Sequence, residues 1–425
     1  MDDILDLADQ LWRGETDVAD HHPLAADGSL TEVADDVAYV ASFARVSAFK
    51  SPDGLVLVDT GHALAARQNH EAIRRWQPAS PDGRLHTAVF SHGHIDHVFG
   101  VGVFEEEASS QRWPGPVVVA HEAMPARFDR YILTAGYNAV INQRQFGLAN
   151  LSWPTEYRYP DRTYRDHLEL EVGGRLFELH HARGETDDHT WTWVPDRGVL
   201  CPGDLFIWAS PNAGNPQKVQ RYPLEWAAAL RAMSELGAAV LLPGHGFPVV
   251  GADRVLEALT ATAELLESLV SQTIALMNTG APLSDVIHAI EMPADLLARP
   301  YLRPVYDDPE FIVRNLWRQY GGWYDGDPAS LKPAPARELA AELAALAGGA
   351  VRLAERAEAL LASGSGGDLR LAGHLAELAA LAAPSDAGIH RVRAEVFAAR
   401  AAVETSTMAK GIFGWAAGES RRHLA

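Results

Sequence analysis

Cysteine is almost missing from this 425-residue chain. Cys201 stands alone, which excludes an intramolecular disulfide framework and any zinc site built on several thiolates. Positive charge is scarce as well: 36 lysines and arginines face 56 aspartates and glutamates, for a net charge of -20. Phosphate backbones are held by a basic surplus, so no nucleic-acid partner is expected. No run of about 18 apolar residues occurs, and the opening "MDDILDLADQLWRG" has no basic segment ahead of an apolar one. Neither a membrane span nor a leader is expected, and the expected location is the cytoplasm.

In bulk the chain is ordinary. With 47% hydrophobic and 22% charged residues it has the composition of a soluble globular protein. Its length exceeds what one core usually serves, so two domains are expected, divided as 1–251 and 252–425. In the first, "VAYVASFARVSAFKSPDGLVLVDTG" gives three β-rich runs broken by a "SPDG" turn, and "LAARQNHEAIRRW" has helical spacing. Further strands are expected over 87–90, at "GPVVVAHEA", and over 168–179, 190–194, 198–201 and 239–242. Strands alternating with helices define an α/β class. Beyond residue 252 the chain reads as helix, and alanine, leucine and glutamate dominate 336–403, with breaks at "GG", "SGSGGD" and "APSDAG". Several helices packed as hairpins fit that rhythm.

Histidine is concentrated where the first domain has a strand end. Of 18 histidines, three fall in "SHGHIDHVFG". His92 and His94, two apart in extended chain, point the same way and can share one metal ion. Asp96 and His97 face elsewhere and can serve a second. Three more stretches offer ligands: Asp204 in "CPGDLFIW", His245 in "LLPGHGFPV", and Glu185, Asp188 and His189 in "RGETDDHTW". The nitrogen and oxygen donors suffice for a dinuclear site. Cys201 is expected in a strand core, without a catalytic role.

The order HxHxDH, then a "GETDDH" acid, then "GD", then "PGHG", with "VLVDTG" upstream, resembles the metallo-β-lactamase fold, an αββα sandwich of two mixed sheets with the site at one edge. The resemblance implies that His92 and His94 hold one metal and that Asp96, His97 and His245 hold the other. It also implies Asp204 as the bridge and Asp59 as a supporting acid. Glu185 falls where most members carry a third histidine. Acids at that position and at the bridge, 19 residues apart, are similar to the alkyl sulfatase group. So are "YGGWYDGDP" and "GGDLRLAGHLAELAALAAPSDAG", which resemble that group's helical dimerisation domain. Secreted members carry a signal peptide and a C-terminal sterol-carrier-like domain, neither of which is expected here. Where the group has a sulfate-holding arginine, Lys218 is the nearest base.

The expected activity is that of a dinuclear hydrolase containing two zinc ions, with iron or manganese as other candidates. It would act on a small anionic ester, foremost an alkyl sulfate, through a water bridging the metals. Asp96 and His97 are the expected catalytic residues. Asn142, Arg144, Lys218, Arg221 and Tyr320 are the expected substrate contacts, and Trp323 and Tyr324 are candidates for an apolar pocket wall. A lactone or thioester hydrolase of glyoxalase II type is the alternative. A homodimer is expected through residues 252–420, where Trp317, Tyr320 and Trp323 add aromatic surface.

Overall fold

The computed structural model describes residues 4–424. Thirteen strands form two sheets among the described residues. The first runs β1 (Leu30–Ala34), β2 (Val37–Val40), β3 (Val46–Ser51), β4 (Gly54–Val58), β5 (Leu85–Val89), β6 (Val117–His121) and β7 (Arg162–Tyr164), each beside the next. Tight turns make β1 to β4 antiparallel, whereas helical crossovers make β4 to β7 parallel. The second sheet holds β8 (His167–Val172), β9 (Arg175–His181), β10 (Thr190–Val194), β11 (Val199–Ile207), β12 (Val240–His245) and β13 (Val249–Val250), with β8 at one edge. Only β11 and β12 pair in parallel, because a helix joins them.

Alternation along the strands builds the layers. In β2, Val37 and Tyr39 face the second sheet while Ala38 and Val40 face helices, and β4 divides the same way between Val56 and Val58 on one side and Leu55 and Leu57 on the other. The two sheets close over a shared apolar core that includes Phe49, Phe177, Leu179 and Cys201. Burial pushes the Cys201 thiol up to about 12, so it is un-ionised packing, as expected of a strand-core cysteine.

Helices cover both outer faces. They begin with α1 (Ile4–Trp12), α2 (Ala66–Trp76), α3 (Ile95–Val98), α4 (Gly102–Gln111), α5 (Met124–Leu133), α6 (Ala135–Phe146) and α7 (Pro223–Ser234). Ile73 of α2, Phe104 of α4 and Phe128 of α5 pack on the first sheet. Trp226 of α7 packs on the second, together with Leu259 and Leu266 of α8 (Ala252–Asn278). The architecture is thus the expected α/β/β/α sandwich followed by helices.

Those helices are α9 (Leu283–Ala289), α10 (Ala294–Leu297), α11 (Pro309–Gly321), α12 (Pro328–Leu331), α13 (Ala336–Ala347), α14 (Ala350–Ser363), α15 (Gly366–Ala382), α16 (Ala387–Val403) and α17 (Thr407–Arg422). Four of them, α13 to α16, make hairpins around a small core of their own, as the breaks in the alanine-rich sequence imply. The last helix returns to the sandwich, where Gly411 lies so near α6 that a Cβ there would sit 1.9 Å from the carbonyl oxygen of Gln145. No helix among the described residues is long and apolar enough to cross a membrane.

Candidate metal centre

The acidic and imidazole groups singled out in the sequence converge where strands of both sheets end, the place at which open α/β sheets expose loops for chemistry. The end of β5 delivers Ser91 and His92, and α3 begins directly after His94. Asp59 follows β4 in a left-handed conformation, with φ of 59°. Its carboxylate accepts hydrogen bonds from the Ser91 amide and the Ser91 hydroxyl, both at 2.7 Å, and from His97 Nδ1 at 2.7 Å. The contact has His97 donate from Nδ1 and turns Nε2 toward the site. His245, at the end of β12, is oriented the same way, with Nδ1 2.7 Å from the Phe43 carbonyl oxygen.

The strand expected over 198–201 extends further: Asp204 lies within β11, which runs on to Ile207 through two register irregularities. Gly203 supplies the kink. Its φ is +55°, and a Cβ would stand 2.6 Å from His189 Nε2 and 2.8 Å from Ser91 Cβ. A side chain is therefore refused twice, by conformation and by space.

Seven donors fall into two groups. His92, His94, Glu185 and Asp204 make one, and Asp96, His97 and His245 the other, with the ligating atoms of each group within 4.8 Å of one another. His92 Nε2 and His94 Nδ1 are 2.7 Å apart. Asp204 stands between the groups, with Oδ1 3.4 Å from His97 Nε2 and Oδ2 3.4 Å from His245 Nε2 and 3.8 Å from His92 Nε2. Asp96 Oδ2 is 3.4 Å from His245 Nε2 and 3.7 Å from His97 Nε2.

The donor set fits divalent cations on the state of its own atoms. His97 Nε2, Glu185 Oε2 and Asp204 Oδ1 are buried with no hydrogen-bond partner, an arrangement that is costly for polar atoms unless a ligand engages them. The charges are strongly mutual. Burial opposes the charge on Asp204, yet His245 and His97 hold its carboxyl well below the ordinary range. Burial likewise opposes charge on His97 and His245, and Asp204 with its neighbouring carboxylates outweighs it, bringing His245 up to about 9. His92 and His94 are kept well below the usual histidine value, first by burial. Burial and the nearby Asp204 charge push Glu185 up, against the pull of Arg221.

Glu185 occupies the loop between β9 and β10 and is gripped from behind. Arg221, itself buried, donates Nη1 to the Glu185 carbonyl oxygen at 3.0 Å and Nη2 to Oε1 at 3.2 Å, and Asn212 donates to the same Oε1. Its two neighbours in "ETDDH" have other partners. Asp188 accepts from the Gly93 amide at 3.0 Å and pairs with Arg127 Nε at 2.8 Å. His189 stacks on His92 with ring centres 4.8 Å apart and places Nε2 3.0 Å from the Pro202 carbonyl oxygen. Neither belongs to the donor groups.

A cavity of about 640 Å³ opens over the donors. His94, Asp96, Glu185, Asp204 and His245 form its floor, Asn142, Lys218 and Arg221 stand beside them, and Phe43, Leu64, Phe146, Leu151 and Trp153 form an apolar wall. Lys218 places its ammonium over the Trp153 ring, 5.5 Å from the centroid. Arg144 lies outside the lining and donates to Gln217 Oε1 at 2.8 Å. Arg221 lines the cavity but spends its donors on Glu185 and Asn212. Tyr320, Trp323 and Tyr324 do not reach it. They are 47%, 69% and 40% exposed near the end of α11, because that helix turns Ile312, Val313 and Leu316 inward and its last turn projects beyond the packed layer. Asn212, Gln145 and Tyr306 were missed from the sequence although all three line the cavity. Helical spacing from Asn142 would have found Gln145, whereas nothing local marks Tyr306.

Residues 39–245 match the family model described as Metallo-beta-lactamase superfamily, and residues 283–423 match the model described as Alkyl sulfatase dimerisation. By domain order and sequence the chain is alkylsulfatase-like. Linear primary-alkylsulfatase of Pseudomonas sp. (strain ATCC 19151) is 28% identical over 354 residues, which are 78% of this chain and 65% of that protein. (R)-specific secondary-alkylsulfatase of Pseudomonas sp. is 26% identical over 76% of this chain and 52% of its own length. The chain thus spans between about half and two thirds of these curated relatives. The solved structure of the stereoselective inverting sec-alkylsulfatase Pisa1 from Pseudomonas sp. superposes with a TM-score of 0.82 at 23% identity, covering 94% of this chain and 66% of that one. At that identity the likeness is one of fold.

The position of Glu185 predicts a contrast between neighbours. Glu185→Gln should lose bound metal, whereas His189→Ala should keep most of it. Elemental analysis of the two purified variants checks this, and the reverse order would move the ligand along the loop.

Proposed function

We propose that this protein is a metal-dependent hydrolase of alkyl sulfate esters, holding two divalent ions, foremost zinc. The observation that carries the reading is a cavity that joins a floor formed by five of the seven donors to an apolar wall, with Lys218 among the residues lining it. An amphiphile with an anionic head and an alkyl chain matches both surfaces, and the names of the relatives agree. The lactone and thioester alternative finds no such support in the domain order.

His92, His94 and Glu185 would hold one ion, Asp96, His97 and His245 the other, and Asp204 both. Bound there, such a pair supplies activated water and polarises ester oxygens. The protein's own part is to orient and to exclude water. Asp59 and the Phe43 carbonyl oxygen accept from Nδ1 of His97 and His245 and so keep their Nε2 atoms aimed inward. Arg221 and Asn212 hold the Glu185 carboxylate in place, so that Asn142 and the Lys218 ammonium remain to receive the sulfate oxygens. Phe43, Phe146 and Trp153 would cover the alkyl chain and dry the site. Steady-state assays on sulfate, phosphate, lactone and thioester substrates test the reading. Turnover of a medium-chain alkyl sulfate above the other classes is expected, and a preference for thioester or lactone would refute it.

Lys218 gives the pH behaviour. Burial, reinforced by Arg221, brings its ammonium down to about 8, so its charge is present below that pH and is lost as pH rises through it. For an anionic ester, kcat/KM should decline above pH 8 on this account. Lys218→Met should raise KM about tenfold or more, the worth of a hydrogen bond to a charged group, and remove that part of the pH profile.

The helical domain would join two copies of the chain. Leu339, Leu346, Val351 and Trp323 are more than half exposed, an apolar surface that a second copy would cover. Light scattering should give a dimer at micromolar concentration, and a monomer would contradict this assignment.

A further inference from the structure

A second collection of metal-binding side chains lies on the helix-facing side of the second sheet, at its edge strand β8. His167 and His180 are direct cross-strand partners in the β8/β9 ladder. Residues paired in this way share a face. Glu178 precedes His180 by two positions on β9 and therefore lies on that face too. The ligating atoms of His167, Glu178 and His180 all fall within 4.8 Å of one another.

Three observations set this cluster apart from a merely polar edge. His180 Nε2 is buried and has no hydrogen-bond partner, and it lies 3.6 Å from Glu178 Oε2. Adjacent ligands of a tetrahedral zinc are about 3.4 Å apart, given bonds of about 2.0–2.1 Å, so this pair is already at the spacing an ion would set. The His180 ring is also held in place, stacked on Trp191 with centroids 4.0 Å apart and planes at 10°. Finally, Glu178 pairs across the ladder with Glu169, and like charges directly opposite are unfavourable. A cation beside them offsets that repulsion. Burial and the neighbouring His167 also keep His180 below the usual histidine value, leaving a neutral ring with a lone pair.

We propose that His167, Glu178 and His180 form a third divalent-cation site, for zinc or a similar borderline transition metal. Two imidazoles and one carboxylate are the donor set such ions accept, with water completing the coordination. The ion would clamp the edge strand β8 to β9.

The test is a comparison of zinc content in untagged full-length protein, stripped with chelator and redialysed against zinc alone. Wild type should hold one ion more per chain than either His167→Ala or Glu178→Gln. Zinc should raise the Tm of wild type further than that of either variant, while turnover stays the same in all three. His167 is exposed, so its truncation leaves the fold intact. Equal zinc content in wild type and both variants would overturn the proposal. The comparison does not depend on the central site, because loss of the catalytic ions would lower all three counts alike and leave the difference between them.

Discussion

The carboxylate of Asp59 ties the sheet to the chemistry. It sits just past β4, in a backbone conformation that costs a non-glycine residue free energy, with φ of 59°. The cost is met by three hydrogen bonds at 2.7 Å, two from Ser91 and one from His97. The first two lock the end of β5 beside the end of β4. The third sets the imidazole of His97 so that Nε2 faces Asp204. Through Asp204 the arrangement reaches His245 and His92, and so both sheets. A neutral, apolar residue at position 59 would leave the ends of β4 and β5 without this link and the histidine without its orienting partner.

The central donors were legible because they sit in short motifs at or beside strands that the sequence marks. "HGHIDH", "PGD" and "PGHG" place glycine beside a candidate donor, and the structure explains why. At Gly244 a Cβ would stand 2.0 Å from Asp204 Oδ1, so close approach of strands and donors requires the missing side chain. The layered architecture was legible for the same reason that alternation is: Val37 and Tyr39 face one way, Ala38 and Val40 the other. What could not be read was which face of a helix meets the cavity. Asn142, Gln145 and Phe146 share one side of α6 and line the cavity, whereas Arg144 falls two residues from Asn142 and so on nearly the opposite side. The aromatic run after Trp317 misled for a related reason. Its composition suggested a pocket wall, but only the packing of α11 decides that Tyr320 ends up at the rim of the domain.

The roles of arginine also differed from what charge alone suggests. Arg221 looked like an anion receptor, and the structure gives its guanidinium to Glu185 and Asn212 instead. A buried cation beside a buried acid is costly to separate, so this arginine shapes the centre by holding the Glu185 carboxylate and leaves Lys218 as the cation whose donors are not spent on Glu185 or Asn212.

The stretch from Ser210 to Arg221 supplies Asn212, Lys218 and Arg221, yet it is held from outside the sandwich. Asp307 accepts the amides of Gly214 at 2.6 Å and Asn215 at 3.2 Å, Arg303 accepts the amide of Ser210 at 3.0 Å, and Asn315 donates to the Arg221 carbonyl oxygen at 3.0 Å. The donor floor is thus the property of one domain, while the loop above it is held by both. In evolutionary terms, the helical segment is no detachable accessory: drift in α11, distant in sequence from every donor, is exerted on what the cavity accepts, while the chemistry beneath it stays unchanged.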